Sequence, residues 1–302
     1  MAIQYSSGGQ IYTNFTTTTG TRREIVDGIA AALISAGWSY QSGSGTGDVK
    51  MLTATTPQGS KCVVRIYDPG SGNCARLQLY NQGNTISQAG GCYLLPAAGK
   101  VFRVIANAYQ FFVFVLGSTS AREFAAGGTP WLPSWNSSIT ECGWLISSAQ
   151  GDSDSTLRPS FRTSPITVAA GASYPNMCAF INTTIWENNG GNFGVNWAPG
   201  IIGLAGFGPL QYVNNNSNVQ HMNKWYDGSG YIYEPIIGWA ISAPASTAGS
   251  AVGQLWDAAM MSVPFAIDTT TTFDSHNWLN IMSNNTGSNQ NFGQCSLFLV
   301  TP

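Results

Sequence analysis

Charge is scarce in this sequence. Its 12 Lys and Arg and 14 Asp and Glu make up 9% of 302 residues, against roughly 25% in an ordinary soluble domain. A freely diffusing protein stays soluble and monomeric largely through charge, whereas interface cores are depleted of it. The composition therefore points to a component of an assembly. The few charges are unevenly placed. Eleven of the 12 basic residues lie at or before Arg162, together with eight of the acids; beyond it stand Lys224 and six acids. No dense basic patch results, so nucleic acid is not an expected partner. Apolar runs stop short of the roughly 18 residues that read as a membrane span. Met1-Ala2-Ile3-Gln4-Tyr5 has neither the basic nor the apolar part of a secretory leader. The six cysteines, Cys62, Cys74, Cys92, Cys142, Cys178 and Cys295, are scattered without a C-x-x-C pair. They read as buried thiols of a chain made in a reducing cytosol.

Catalytic equipment is equally thin. The two histidines, His221 and His276, stand in unrelated contexts, and HExxH, GxSxG and P-loop motifs are missing. The carboxylates offer no pair of the kind a glycosidase uses. Asp152-Ser153-Asp154 lacks the spacing and the glycine of an EF-hand and reads as a solvated loop. Cysteine and histidine do not cluster at zinc spacing. No enzymatic activity, metal or cofactor is expected.

What the chain does have is β-forming sequence behind one well-marked helix. Residues 1–20 are polar and Thr-rich and read as an extended arm. Thr21-Arg22-Arg23-Glu24 then forms a capping box. Ile25, Ile29 and Leu33, joined by Val26, Ala32 and Ala36, fill one helical face. Gly37 is a left-handed stop, so a helix is expected over about 22–36, ending in Gly37-Trp38. Strands are expected around Val49-Met51-Thr53, over Lys61 to Tyr67, and over Cys74 to Tyr80. Asp68-Pro69-Gly70-Ser71-Gly72 is the turn between the last two; if symmetric, it sets Cys74 opposite Tyr67. Val101 to Ala106 and Gln110 to Leu116 make a hairpin around Asn107-Ala108-Tyr109. Phe111 to Leu116 is apolar on both faces and reads as a central strand covered on both sides.

Later strands are expected over Ile139 to Ser147, Met177 to Trp186, Tyr231 to Ser242, Met260 to Ile267 and Cys295 to Val300, linked by Asn- and Gly-rich loops. The expected fold is α+β and mostly β: an N-terminal helix packed on an antiparallel meander, followed by a loop-rich β region. The organisation is an arm over 1–20, an α+β module over 21–165, and a loop-rich, mainly β region over 166–302 that is either separate from the module or continuous with it.

Two stretches are candidates for contact with other molecules. Pro199 to Pro209 is an apolar, Gly-rich loop in which Ile201, Ile202, Leu204 and Phe207 are candidate assembly contacts. Its bracketing prolines disfavour a helix, and its missing Lys-Ser/Thr excludes a phosphate loop. Six tryptophans, Trp131, Trp135, Trp186, Trp197, Trp225 and Trp278, lie beside Asn, Gly or Asp. Trp residues usually anchor cores and interfaces, but beside short polar side chains they also stack on sugars; Trp197 and Trp225 are the glycan-stacking candidates.

The run Glu24 to Ile29 and Leu33 to Trp38, the loop Ser42-Gly43-Ser44-Gly45-Thr46-Gly47, and the hairpin elements Thr56-Pro57-Gln58-Gly59 and Asp68-Pro69-Gly70 together resemble a module of tailed-bacteriophage virion proteins. The pair Phe102 to Asn107 and Gln110 to Val115 resembles the next element of such proteins. The resemblance covers about residues 20–150. It implies a structural part of a tail, baseplate or neck, assembled in the host bacterial cytoplasm and located in the virion. Its partners would be further copies of itself and other virion proteins. It transfers no catalytic residue. The alternative is a carbohydrate-binding adhesin or receptor-binding fibre component, whose partner is a host glycan.

Overall fold

The helix α1 (Arg22–Ser35) forms where its signals place it. Thr21 accepts from the Glu24 amide and Glu24 reaches back, closing the capping box. At the other end Gly37 turns left-handed at φ 98°. Its amide donates to Ile34 O (3.0 Å), and the Trp38 amide donates to Leu33 O (3.0 Å). That pair of bonds is a Schellman stop. The computed structural model describes residues 2–8, 10–41, 48–83, 92–117, 123–132, 139–147, 177–182, 184–187, 194–199, 233–241, 250–261, 266–284 and 295–302.

The described strands form three antiparallel sheets. The first is a meander of β2 (Ser39–Tyr40), β3 (Val49–Thr55), β4 (Lys61–Tyr67), β5 (Ala75–Tyr80) and β6 (Cys92–Leu94), in that order. The second has seven strands: β1 (Ile11–Thr16), β7 (Val101–Ala106), β8 (Gln110–Val115), β9 (Phe124–Gly128), β10 (Cys142–Ser147), β11 (Met177–Ile181) and β12 (Thr184–Glu187). The third runs β13 (Gly194–Pro199), β14 (Glu234–Ile241), β15 (Ser250–Met261), β18 (Cys295–Thr301), β17 (His276–Asn284) and β16 (Thr270–Phe273).

The protein is thus mostly β with one N-terminal helix on antiparallel sheets; α1 packs on β1, β3, β4, β5 and β7. One core lies between α1, the five-stranded sheet and one face of the seven-stranded sheet. It contains Ile25, Ile29, Leu33, Leu52, Val64, Leu77, Phe102, Phe111 and Val113. A second core fills the space between the other face, with Ile105, Phe112, Phe114, Phe124 and Trp144, and the six-stranded sheet, with Leu255, Leu279, Ile281, Leu297 and Leu299. The middle sheet is therefore covered on both faces. In β8, Phe111 and Val113 enter one core while Phe112 and Phe114 enter the other, as the period of two requires. A central, doubly covered strand was expected here.

Other elements differ in detail from the sequence reading. Tyr67 pairs with Arg76, not Cys74, so the 68–74 loop is not centred as a symmetric turn would be. The stretch expected as one strand from Met177 splits into β11 and β12 at Asn182, which takes φ 50°. The strand expected to start at Met260 is instead the end of β15, which begins at Ser250. Ile11–Thr16, within the expected arm, is an edge strand on β7 of the same chain. The boundary expected at 165/166 lies outside the described residues, and the seven-stranded sheet takes strands from both sides of it.

Candidate functional site: a clasp across the sheet seam

The β7–β8 turn is the hub of the molecule. Asn107 is buried, with its Oδ1 accepting from the amides of Tyr109 (2.8 Å) and Gln110 (2.9 Å). A turn asparagine commonly satisfies its own backbone in this way. Three more elements meet here. Trp38, at the end of α1, donates from Nε1 to Asn107 O (2.8 Å). The Thr129 amide, just past β9, donates to Tyr109 O (2.8 Å). Asn107 Nδ2 donates to Asp257 Oδ2 of β15 (2.5 Å).

Asp257 belongs to an irregular part of β15. Register slips between Pro235, paired with Ala259, and Ile237, paired with Gln254. Asp257 itself takes φ 49°, a conformation that a non-glycine residue adopts only at some cost. The bulge aims its buried carboxylate back at the seven-stranded sheet. Beside it, the Gln110 side-chain amide mimics a strand: Nε2 donates to Trp256 O, and Oε1 accepts from Trp256 N (2.9 Å). Trp256 Nε1 donates to Thr129 O (3.1 Å), and Trp131 and Gln254 exchange backbone bonds of 2.8 and 2.9 Å. The two sheets are thus joined by hydrogen bonds as well as by apolar packing.

Residues 2–7 lie across this seam and can be called a clasp. Gln4 makes a parallel bridge with Trp256, and Gln4 O accepts from the Asp257 amide (2.9 Å). The Ser6 amide and hydroxyl both donate to the Asp257 carboxylate, at 2.9 and 2.6 Å. With Asn107, the carboxylate has three donors, the arrangement that makes a buried charge tolerable. Ala2 O accepts from Gln254 Nε2 (3.0 Å), and Ser7 Oγ lies 3.1 Å from Tyr109 OH.

Alternate side chains of the clasp turn to the outer face of the six-stranded sheet. Ile3 and Tyr5 pack with Tyr233 and Phe273 on a small core of Ala259, Trp278, Phe298 and Val300. Tyr5 stacks on His276 with ring centroids 4.0 Å apart, and its hydroxyl donates to Asp274 Oδ2 (2.5 Å). Burial, and then the Asp274 carboxylate, push the Tyr5 phenol above its usual pKa, so it stays a donor. Tyr233 stacks on Phe273 at 3.6 Å, and Phe273 on Trp278 at 4.2 Å. The tight turn presenting Asp274 has φ 49° there and 60° at Ser275, the primed form that joins two-residue hairpins.

The candidates picked from the sequence fare differently. Ile201, Ile202, Leu204, Phe207 and Trp225 lie outside the described residues, as do His221, Asp152 and Asp154. Trp197 is in β13, its backbone opposite Gly238. Trp278 is fully buried and donates to Phe273 O (3.1 Å), which makes it a core residue. Cys62, Cys74 and Cys142 are buried free thiols; burial pushes the Cys62 thiol up to about 12, so it is no nucleophile at neutral pH. Half-buried Lys100 and buried Glu123 form an ion pair (2.7 Å) that also binds both the carbonyl and the amide of Leu95. Burial raises the Glu123 pKa and Lys100 opposes the rise; the pair closes the 95–100 loop. Among the described residues, no three His, Cys, Asp or Glu side chains gather to hold a metal ion.

Sequence reading missed Ser6, Asp257 and Gln110. A lone serine in a polar leader and a lone aspartate in an apolar strand carry no pattern, and only the Asn107 turn was visible. Compared with models of known protein families the chain matches none, and a search of curated proteins found no match either.

Proposed function

We propose that this chain is a structural component of a bacteriophage or prophage-derived particle, of the tail, baseplate or neck, and that it acts by oligomeric assembly. The observation that carries the reading is the use made of its rare charges. Arg22 pairs with Asp68 (2.6 Å), Arg23 with Asp27 (2.7 Å) and with Asp48, and Lys100 with Glu123. Glu24 and Asp257 are taken up by the chain's own donors. Among the described residues these charges hold elements of the chain together, and a sequence with 9% charged residues has few others to offer, which suits faces that end against neighbours. The resemblance carried by α1, Gly37-Trp38 and the following hairpins supports the same reading.

A carbohydrate-binding adhesin is the second reading, favoured by the half-buried stacked rings of Tyr233, Phe273, Tyr5 and His276 at the edge of the third sheet. Light scattering on the purified chain, with mass spectrometry of purified particles, separates the two. A discrete oligomer that is also found in virions is expected. A strict monomer absent from particles would end the first reading, and glycan-array binding by that monomer would favour the second.

A further inference from the structure

We infer that the clasp is an exchangeable segment: in the oligomer, residues 2–7 of one copy seat on the Asp257 groove of a second copy, whose own clasp seats on the first. The inference rests on the assembly reading and names the partner at this seam.

Four observations carry it. First, the groove reads this chain's own sequence. It has a place for Ile3 and Tyr5 against Trp278, a backbone bridge for Gln4, and a carboxylate for Ser6. A second copy brings the same segment and makes the same bonds, so exchange costs little beyond the linker. Second, the sequence that follows the clasp is rich in glycine. Gly8 is exposed, with nothing within 4 Å of where a Cβ would stand, and Gly9 follows it in sequence. Two adjacent glycines give the chain a hinge with few steric limits. Third, the linker leads to β1, which lies at the edge of its sheet, so the clasp departs from a border of the molecule. Fourth, the groove has to be filled. Without a clasp, Asp257 loses two of its three donors and the Trp278 face loses Ile3 and Tyr5 from its cover. A clasp that leaves its own groove is therefore replaced by another, and exchange links two copies where simple release would only destabilise each.

The test uses the full chain. Two versions with different C-terminal tags are co-expressed, one carrying a photo-reactive residue in place of Gln4. The groove holds Gln4 through its backbone carbonyl, so the substitution leaves the bridge in place. After irradiation, a covalent dimer bearing both tags is expected, with the link mapping to β15 around Trp256. A photo-product of monomer mass alone overturns the inference. Placing the photo-reactive residue at Ser7, beside Tyr109, repeats the test should the first variant not fold. Monomer-mass product within a stable oligomer would sink clasp exchange and leave the assembly reading standing. Two-tag dimers from a protein absent from particles would do the reverse.

Discussion

At the scale of single residues, Glu24 ties a loop to a helix. Its carboxylate accepts from the amides of Thr18 (2.9 Å), Thr19 (3.0 Å), Gly20 (2.9 Å) and Thr21 (3.1 Å). These bonds, that of Thr19 first, lower its pKa from 4.5 to about 2. A carboxylate with a depressed folded-state pKa contributes stability that is fully present above its unfolded value and is lost as pH falls through the folded one. Glu24 therefore stabilises the fold above about pH 4.5 and ceases to do so near pH 2. Thermal melts of wild type and Glu24→Gln are expected to differ most near neutral pH and to converge as pH falls through that window. A constant gap across it would show that the carboxylate charge is irrelevant. The capping box itself was legible, because Thr21 and Glu24 are three residues apart just before an apolar periodicity. The three amides beyond the box, at Thr18, Thr19 and Gly20, were not, since a Thr run ending in glycine carries no sign of where its backbone turns.

Among elements, neighbouring strands show opposite degrees of legibility. The Phe-rich β8 announced itself, because large apolar side chains on both faces need cover on both sides. Its neighbour β9, Phe-Ala-Ala-Gly-Gly, has poor strand propensity. It is a strand because its small residues let β10 and the β8 turn come close. Gly128 takes φ 142°, and a Cβ there would stand 2.2 Å from Tyr109 O. Gly128→Ala is expected to destabilise the protein by about 3 kcal/mol, from backbone strain plus overpacking, read from urea midpoints at unchanged m-value. A loss below about 1 kcal/mol would mean that the hub turn gives way easily. The β16–β17 hairpin was missed for a related reason. Its Asp274-Ser275 turn lacks the Asn-Gly or Asp-Gly signal, and it is held from outside by Tyr5 on Asp274.

For the whole molecule, the decisive feature is that two cores share one sheet and one polar hub. Asn107 links α1 through Trp38, the third sheet through Asp257, and its own turn. Asn107→Ala removes a donor from a buried carboxylate and the acceptor of two buried amides. A loss of about 2–3 kcal/mol is expected, since unsatisfied buried polar groups cost about that much. Fluorescence of the tryptophans and far-UV circular dichroism should shift together in one denaturant transition. Separate transitions would show that the layers fold independently. The sequence by itself determined the helix with both its caps, most strands of the first sheet, the hairpin at Asn107 and the doubly covered β8, because these follow from spacing between near neighbours. Only the tertiary structure decided where residues 2–7 go, why β15 bulges at Asp257, and which strands share a sheet. Those choices depend on contacts such as Ser6 with Asp257 and Asn107 with Asp257, 251 and 150 residues apart. No local pattern encodes a partner at that distance; packing of the two cores brings it there.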